Sequence, residues 1–304
     1  AADPNIYGII KRTWTLEDEA GNTTTKVQTI SVEPTPTATI INSSQIICNN
    51  NNVNIEINSS TKNINPDNLI YKVTVESADS LYLSGSAFAD LILSKSQLPY
   101  SITGTLINNS DHPAEVKFIV TPSIIGCDGG IPVSTTIKVN PTPRIEATAV
   151  SDTLCNEETS VFTITTPTTL TSGEVLLDYT VDGASGDETV ISGYTEELGV
   201  IIQGAGPAFF SQKLTNHTND VQWVRFRLHP HASNTGAATN CDHGSLMDTL
   251  IVLTVEPTPG VTGILSDTVI CNNTEINYSL TTSTNPIYGV RFDVQVINPH
   301  PEVT

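Results

Sequence analysis

The densest set of chemistry-bearing side chains is the segment RLHPHASNTGAATNCDH, with His229, His231, Cys241, Asp242 and His243. An H-x-H pair on a strand turns both imidazoles to one face, and two further donors within reach would complete a four-coordinate zinc site. Three features oppose it. Pro230 is expected to break the strand, Cys241 is expected to be oxidised, and the matching segment earlier in the chain has Thr121 and Ser123 in place of the histidines. The segment is therefore read as a polar loop. A second set, VDGASGDETV, places Asp182, Asp187 and Glu188 around two glycines, hard oxygens in a tight turn that suit a loose calcium site. The spacing is not that of an EF-hand loop, and the same letters suit a solvated hairpin tip. Calcium is the one cofactor considered. LEDEAGN offers Glu17, Asp18 and Glu19, which strand alternation would separate, leaving a solvated turn. QGAGPAFF, from Gln203, is Gly-rich but lacks the lysine and the strand–turn–helix setting of a phosphate loop. No G-x-S-x-G nucleophile motif is present, so no enzymatic activity is expected.

The elements that hold these residues repeat. EPTPTATIINSSQIIC (Glu33 to Cys48), NPTPRIEATAVSDTLC (Asn140 to Cys155) and EPTPGVTGILSDTVIC (Glu256 to Cys271) each place a cysteine fourteen residues after the first proline. Beyond each cysteine comes an alternating segment, YKVTVES at Tyr71, LDYTVDG at Leu177 and RFDVQVIN at Arg291, the period of a strand with one buried face. TLINNSDHPAEVKFIVTP then matches KLTNHTNDVQWVRFRLHP, with Leu106 and Val116 spaced like Leu214 and Val224. CDGG at Cys127 matches CDHG at Cys241. The expected organisation is a terminal stub over 1–35, complete repeats over 36–143 and 144–259, and the first part of a third over 260–304.

Composition bounds the class. Thr, Ser, Asn and Val abound and only 15% of the 304 residues are charged, which favours strands and turns and predicts an all-β chain. Thirteen Lys and Arg against 32 Asp and Glu give a formal charge of −19, which repels nucleic acid and anionic membranes. No run of 18 apolar residues is present, so no membrane insertion is expected. No charged segment followed by an apolar one opens the chain, so a signal peptide would be removed or lie upstream.

Five cysteines leave one unmatched. Pairing inside each repeat gives Cys48 with Cys127 and Cys155 with Cys241, the partner of Cys271 lying beyond Thr304. Pairing across the joints gives Cys127 with Cys155 and Cys241 with Cys271. Ala20 lies fourteen residues before Pro34, where the repeats have cysteine, which favours the first scheme. Either scheme requires an oxidising compartment. Each PTP follows one strand and precedes another. Its prolines fix φ and extend the preceding residue, so the motif is expected to be a short polyproline-like rod joining consecutive β-domains.

Repeats of this length, with the P-x-P segment, the "IC" or "LC" fourteen residues on, and a VTV-type central strand, resemble the PKD-like Ig-fold repeats of giant surface adhesins exported by type IX secretion in gliding bacteria. KRTWTLEDEAGNTTTKVQTISV resembles the last strands of a HYR-type Ig-like domain, which would put Trp14 in a core and the hairpin turn at Glu19 to Asn22. The resemblance implies tandem Ig-like β-sandwiches arranged end to end, an extracellular, cell-surface location, and neighbouring repeats, an external surface or a glycan as partners. It also implies O-glycosylation where Asp precedes Ser or Thr and an aliphatic residue: Ser80, Thr153, Thr249 and Thr268.

Three functions follow from these readings: a structural or adhesive stalk, an accessory carbohydrate-binding module of an exported polysaccharide-degrading enzyme, or a filament subunit. The second needs Trp223, Tyr194 and Phe209 on one exposed platform. Repetition favours the stalk, because a stalk needs equivalent beads and a glycan site needs one specialised face.

Overall fold

A computed structural model describes residues 5–127, 129–149, 151–202, 207–233, 241, 247–265, 268–295 and 297. Among them the regular elements are strands and two short 3-10 turns, Pro66–Asn68 and Lys95–Gln97. The chain is all-β, as its β-branched and turn-forming composition predicts. No helix among the described residues is long and apolar enough to cross a membrane.

The chain divides into two compact units. The first comprises Ala1–Pro143, Thr168–Val175 and His231–His243. Within it, Thr39–Asn42, Ile55–Asn58 and Tyr100–Ile102 form one sheet. A second sheet has the order Ile46–Cys48, Val133–Asn140, Ala114–Ile124, Leu69–Glu76, Leu91–Ser94. Alternation along AEVKFIVTPSI turns Val116, Phe118 and Val120 inward, where they join Ile55, Ile57 and Tyr71 in a single apolar core. One pairing differs from the rest of this sheet: Ile46–Cys48 runs parallel to the last strand, with Cys48 opposite Asn140.

The second unit comprises Arg144–Pro167, Leu176–Pro230 and Gly244–Thr304. Glu146–Ala149, Thr159–Thr165 and Ala208–Lys213 form one sheet, and Thr153–Leu154, Thr249–Val255, Gln222–Ala232, Val175–Ala184 and Glu197–Ile201 form the other, in that order. Again the short first strand pairs parallel to the last, Leu154 opposite Val255. Between the sheets Tyr179 stacks on Phe226 at 5.0 Å and on Phe210 at 5.2 Å, with Phe162 edge-on to Phe226 at 5.8 Å. Burial pushes the Tyr179 phenol above its ordinary pKa.

One expectation is corrected. Pro230 does not break its strand, which continues to Ala232. The ladder to Thr249–Val255 ends at Leu228, so beyond it this side of the strand needs no amide donor from the proline. Trp14 is 61% exposed on a two-stranded ribbon, Gly8–Glu17 with Thr23–Val32, that has no covering sheet among the described residues. The turn of that ribbon lies where expected. The Asp18 carboxylate accepts from the amides of Ala20 and Asn22 and from the Asn22 side chain, which holds it below the usual carboxylate range.

Candidate functional site: the proline joints

The PTP segments are packed elements. Pro34, Pro36, Pro141, Pro143 and Pro257 are buried. A proline has no amide hydrogen, so burying it leaves no backbone donor to satisfy. The expected short rod is thus packed against the protein.

Each joint carries the same hydrogen bonds at the same spacings. The residue before the first proline accepts, through its side chain, from an amide 31 positions on: Glu33 from Ile64 at 3.0 Å, Asn140 from Thr171 at 2.9 Å, Glu256 from Ile287 at 3.2 Å. Two residues earlier in the same loop, the amides of Lys62, Thr169 and Asn285 donate to the carbonyls of Asn5, Asp111 and Asn219, each at 2.8–2.9 Å. The carbonyl just after the motif accepts a hydroxyl 22 positions on: Thr37 from Ser59, Arg144 from Thr166 and Gly260 from Thr282, at 2.6, 2.7 and 2.6 Å. The amides of Thr37 and Gly260 donate to Thr61 and Thr284 hydroxyls at 2.9 and 2.8 Å.

The threonine inside the second and third PTP segments is held from the other side. Asn49 donates to the Thr142 hydroxyl at 2.8 Å and accepts from the Asn108 amide at 2.7 Å; Asn156 does the same to Thr258 and Asn216, at 2.7 Å each. Asn108 and Asn216, both buried, donate to the carbonyls of Val139 and Val255 in the outgoing strands, at 2.9 and 3.1 Å. Buried amides with all these partners fix one geometry, because any other leaves several of them unsatisfied.

The cysteines do not pair as expected. Cys48 is bonded to Cys241, while Cys127, Cys155 and Cys271 are free and exposed. Pairing within a repeat is prevented by the sandwich itself. Cys48 lies beside Asn140 at the finish of the outgoing strand, and Cys127 follows Ile124, past the Val120–Val133 pair at that strand's start. Seven residues of strand put about 24 Å between those levels, far beyond the roughly 7 Å that a disulfide spans. Cys155 follows Leu154, which lies beside Val255, and the partner expected for it, Cys241, is bonded to Cys48. Cross-joint pairing of Cys127 with Cys155, and of Cys241 with Cys271, is absent too. The loop after Cys127 instead approaches the preceding joint, where a Cβ on Gly130 would sit 1.9 Å from the Pro36 carbonyl oxygen. Only glycine fits there. Around Cys48 and Cys241, both buried, pack Ala232 and Leu170.

The other candidates are dispersed. Asp182 pairs with Arg225 at 2.7 Å and with Arg227, whose hydrogen bond is the main cause of its lowered pKa. Asp187 accepts from the Thr189 hydroxyl and amide, which lowers its pKa and closes the hairpin tip. These bonds use both carboxylate oxygens of Asp182 and one of Asp187, and with Glu188 the two form no ligand cluster. Among the described residues no three acidic, His or Cys side chains converge as metal ligands. His229 bonds Asp248 at 2.6 Å and Cys241 is oxidised, which removes a thiolate from the zinc set; Asp242 and His243 lie outside the described residues. Phe209 is 68% exposed on the strand Ala208–Lys213, whereas Trp223, 37% exposed, faces outward from the opposing sheet. Trp223 and Phe209 therefore share no platform with Tyr194 for a sugar ring. Ser80 and Thr268 are exposed, and Thr153 and Thr249 are half-buried in strands.

No protein-family model matches the chain, and no curated protein matches it. Among solved structures it is similar to the Escherichia coli adhesin FdeC, at 12% identity over 83% of this chain and 76% of that one, with a TM-score of 0.30. The Yersinia pseudotuberculosis adhesin InvE matches at 11% identity over 73% of this chain and 60% of its own, TM-score 0.29. Protocadherin gammaB7 matches at 10% identity over 90% and 67%, TM-score 0.35. At these scores the resemblance carries no argument about function, which has to come from the joints.

Proposed function

We propose that the chain is a load-bearing stretch of the stalk of an exported cell-surface adhesin, with no catalytic role. The observation that supports this is the triplicate joint: three PTP segments that share three hydrogen bonds at the same spacings. A catalytic or ligand site is specialised once, whereas a stalk needs each connection to resist bending in the same way. In the finer form of the proposal, 36–143 and 144–259 are complete Ig-like repeats, 1–35 closes a preceding HYR-type domain and 260–304 opens a third repeat. The parent is then an adhesin of the type IX, gliding class, working outside the cell against a surface or glycan.

Nitrogen-15 relaxation tests the rigidity directly. Residues 36–143 and 144–259 are expected to share one rotational correlation time, and Asn140→Ala, which removes the acceptor for the Thr171 amide, is expected to let them tumble apart once the Cys48–Cys241 bond is reduced. Separate correlation times in the unaltered protein would sink the stalk reading.

Glycosylation belongs to the same proposal. Hexose is expected on Ser80 and Thr268, which are exposed, before Thr153 and Thr249, which lie in strands. Intact mass of protein from its own host should exceed the polypeptide mass by whole hexose increments; the bare mass would end the idea.

A further inference from the structure

The Cys48–Cys241 bond joins the first cysteine of one repeat to the second cysteine of the following repeat. We propose that this is a rule of the array, and that Cys155 is the site of the next such bond, accepting the second cysteine of the repeat that begins after Pro259. Three observations support it.

The first is equivalence of position. Cys48 ends, and Cys155 directly follows, a short strand paired parallel to the outgoing one, and each is followed by an asparagine bonded to the PTP threonine. The second is a groove. Cys155 lines a cavity of about 400 Å³ with Asn156, Pro257, Pro259, Pro286 and Arg291. Pro286 stands 30 residues after Glu256, as Leu170 stands 30 after Asn140, and Leu170 packs on the Cys48–Cys241 pair. One wall of the disulfide pocket is thus built at Cys155. The segment corresponding to Ala232 and Cys241 supplies the other wall. The third is the opposite half of the rule: the loop that bears Cys127 is seated against the preceding joint at Pro36, the side from which a first cysteine of an earlier repeat would reach it.

The occupant of the groove is therefore a repeat of the same type, carrying cysteine after its long inward-alternating strand. Bond formation converts two thiols to one disulfide; the two electrons and two protons pass to a disulfide of an exchange protein in the exporting compartment, which leaves as a dithiol.

Non-reducing peptide mapping of the intact exported protein tests this. The Cys155 peptide should be recovered linked to the second-cysteine peptide of the repeat after Pro259. Recovery of Cys155 linked to Cys127 or Cys241, or as an alkylatable thiol, overturns it. In the Cys155→Ser protein one new alkylatable thiol is expected, in that downstream peptide, with Cys48–Cys241 unchanged; no new thiol overturns it equally. Failure here leaves the hydrogen-bonded joints, and the stalk reading that rests on them, standing.

Discussion

Phe226→Ala is expected to cost the second unit about 3–5 kcal/mol, the range for truncating a large buried aromatic. Phe226 is fully buried at the centre of an aromatic cluster, stacked on Tyr179 and edge-on to Phe162. Its loss removes apolar burial and two ring contacts together, and the rings around the void sit on paired strands of opposite sheets, which limits collapse into it. Urea unfolding followed by tyrosine fluorescence should show the midpoint of the second unit falling sharply while that of the first is nearly unchanged. Equal falls in both would mean that the two unfold as one cooperative body. No fall at all would mean the core is not assembled around this ring.

Removing the disulfide is expected to have a comparable effect on the first unit. Its two cysteines are 193 positions apart, and the chain-entropy model assigns closure of so long a loop about 5 kcal/mol at most. A double Cys48→Ser, Cys241→Ser variant should lose about 2–5 kcal/mol, seen as a fall in the melting temperature of the first unit of about 6–15 °C. Because both sulfurs are buried, dithiothreitol at room temperature should reduce the bond only as fast as the pocket opens. A variant that melts with the parent protein would show that the bond adds no stability to the folded repeat pair.

The strands were legible in the sequence because alternation reports burial directly. AEVKFIVTPSI and QWVRFRLHPHA are inward at every second position, as their letters indicate. The spacing of the PTP motifs likewise marked the packed proline segments. Disulfide partners were not legible. Periodicity gives the interval between cysteines but not which end of a sandwich each occupies, and the parallel pairing of Cys48 with Asn140 decides that. The joint hydrogen bonds did leave a trace: Ser59 and Thr61, Thr166 and Thr168, Thr282 and Thr284 recur 23 and 25 positions after the second proline. In a chain so rich in Ser and Thr that pattern has little contrast, and the acceptors for three of these hydroxyls are backbone carbonyls, which no letter reveals. Asp182 was misread for a related reason: its arginine partners lie more than forty positions away on another strand.

The parallel pairing also fixes how each repeat meets tension. Ile46–Cys48 and Thr153–Leu154, each the second strand after its PTP segment, run parallel to the outgoing strand, so tension along the chain shears their hydrogen bonds together and does not unzip them one after another. Three residue pairs take this load between Ile46–Cys48 and Lys138–Asn140, but only two between Thr153–Leu154 and Thr254–Val255. With the Cys48–Cys241 bond reduced, so that tension runs through residues 49–240 and not across the disulfide, Thr153–Leu154 should therefore part from Thr254–Val255 before Ile46–Cys48 parts from Lys138–Asn140. The weaker ladder then acts as a fuse that lengthens the chain in one abrupt step while the longer one holds.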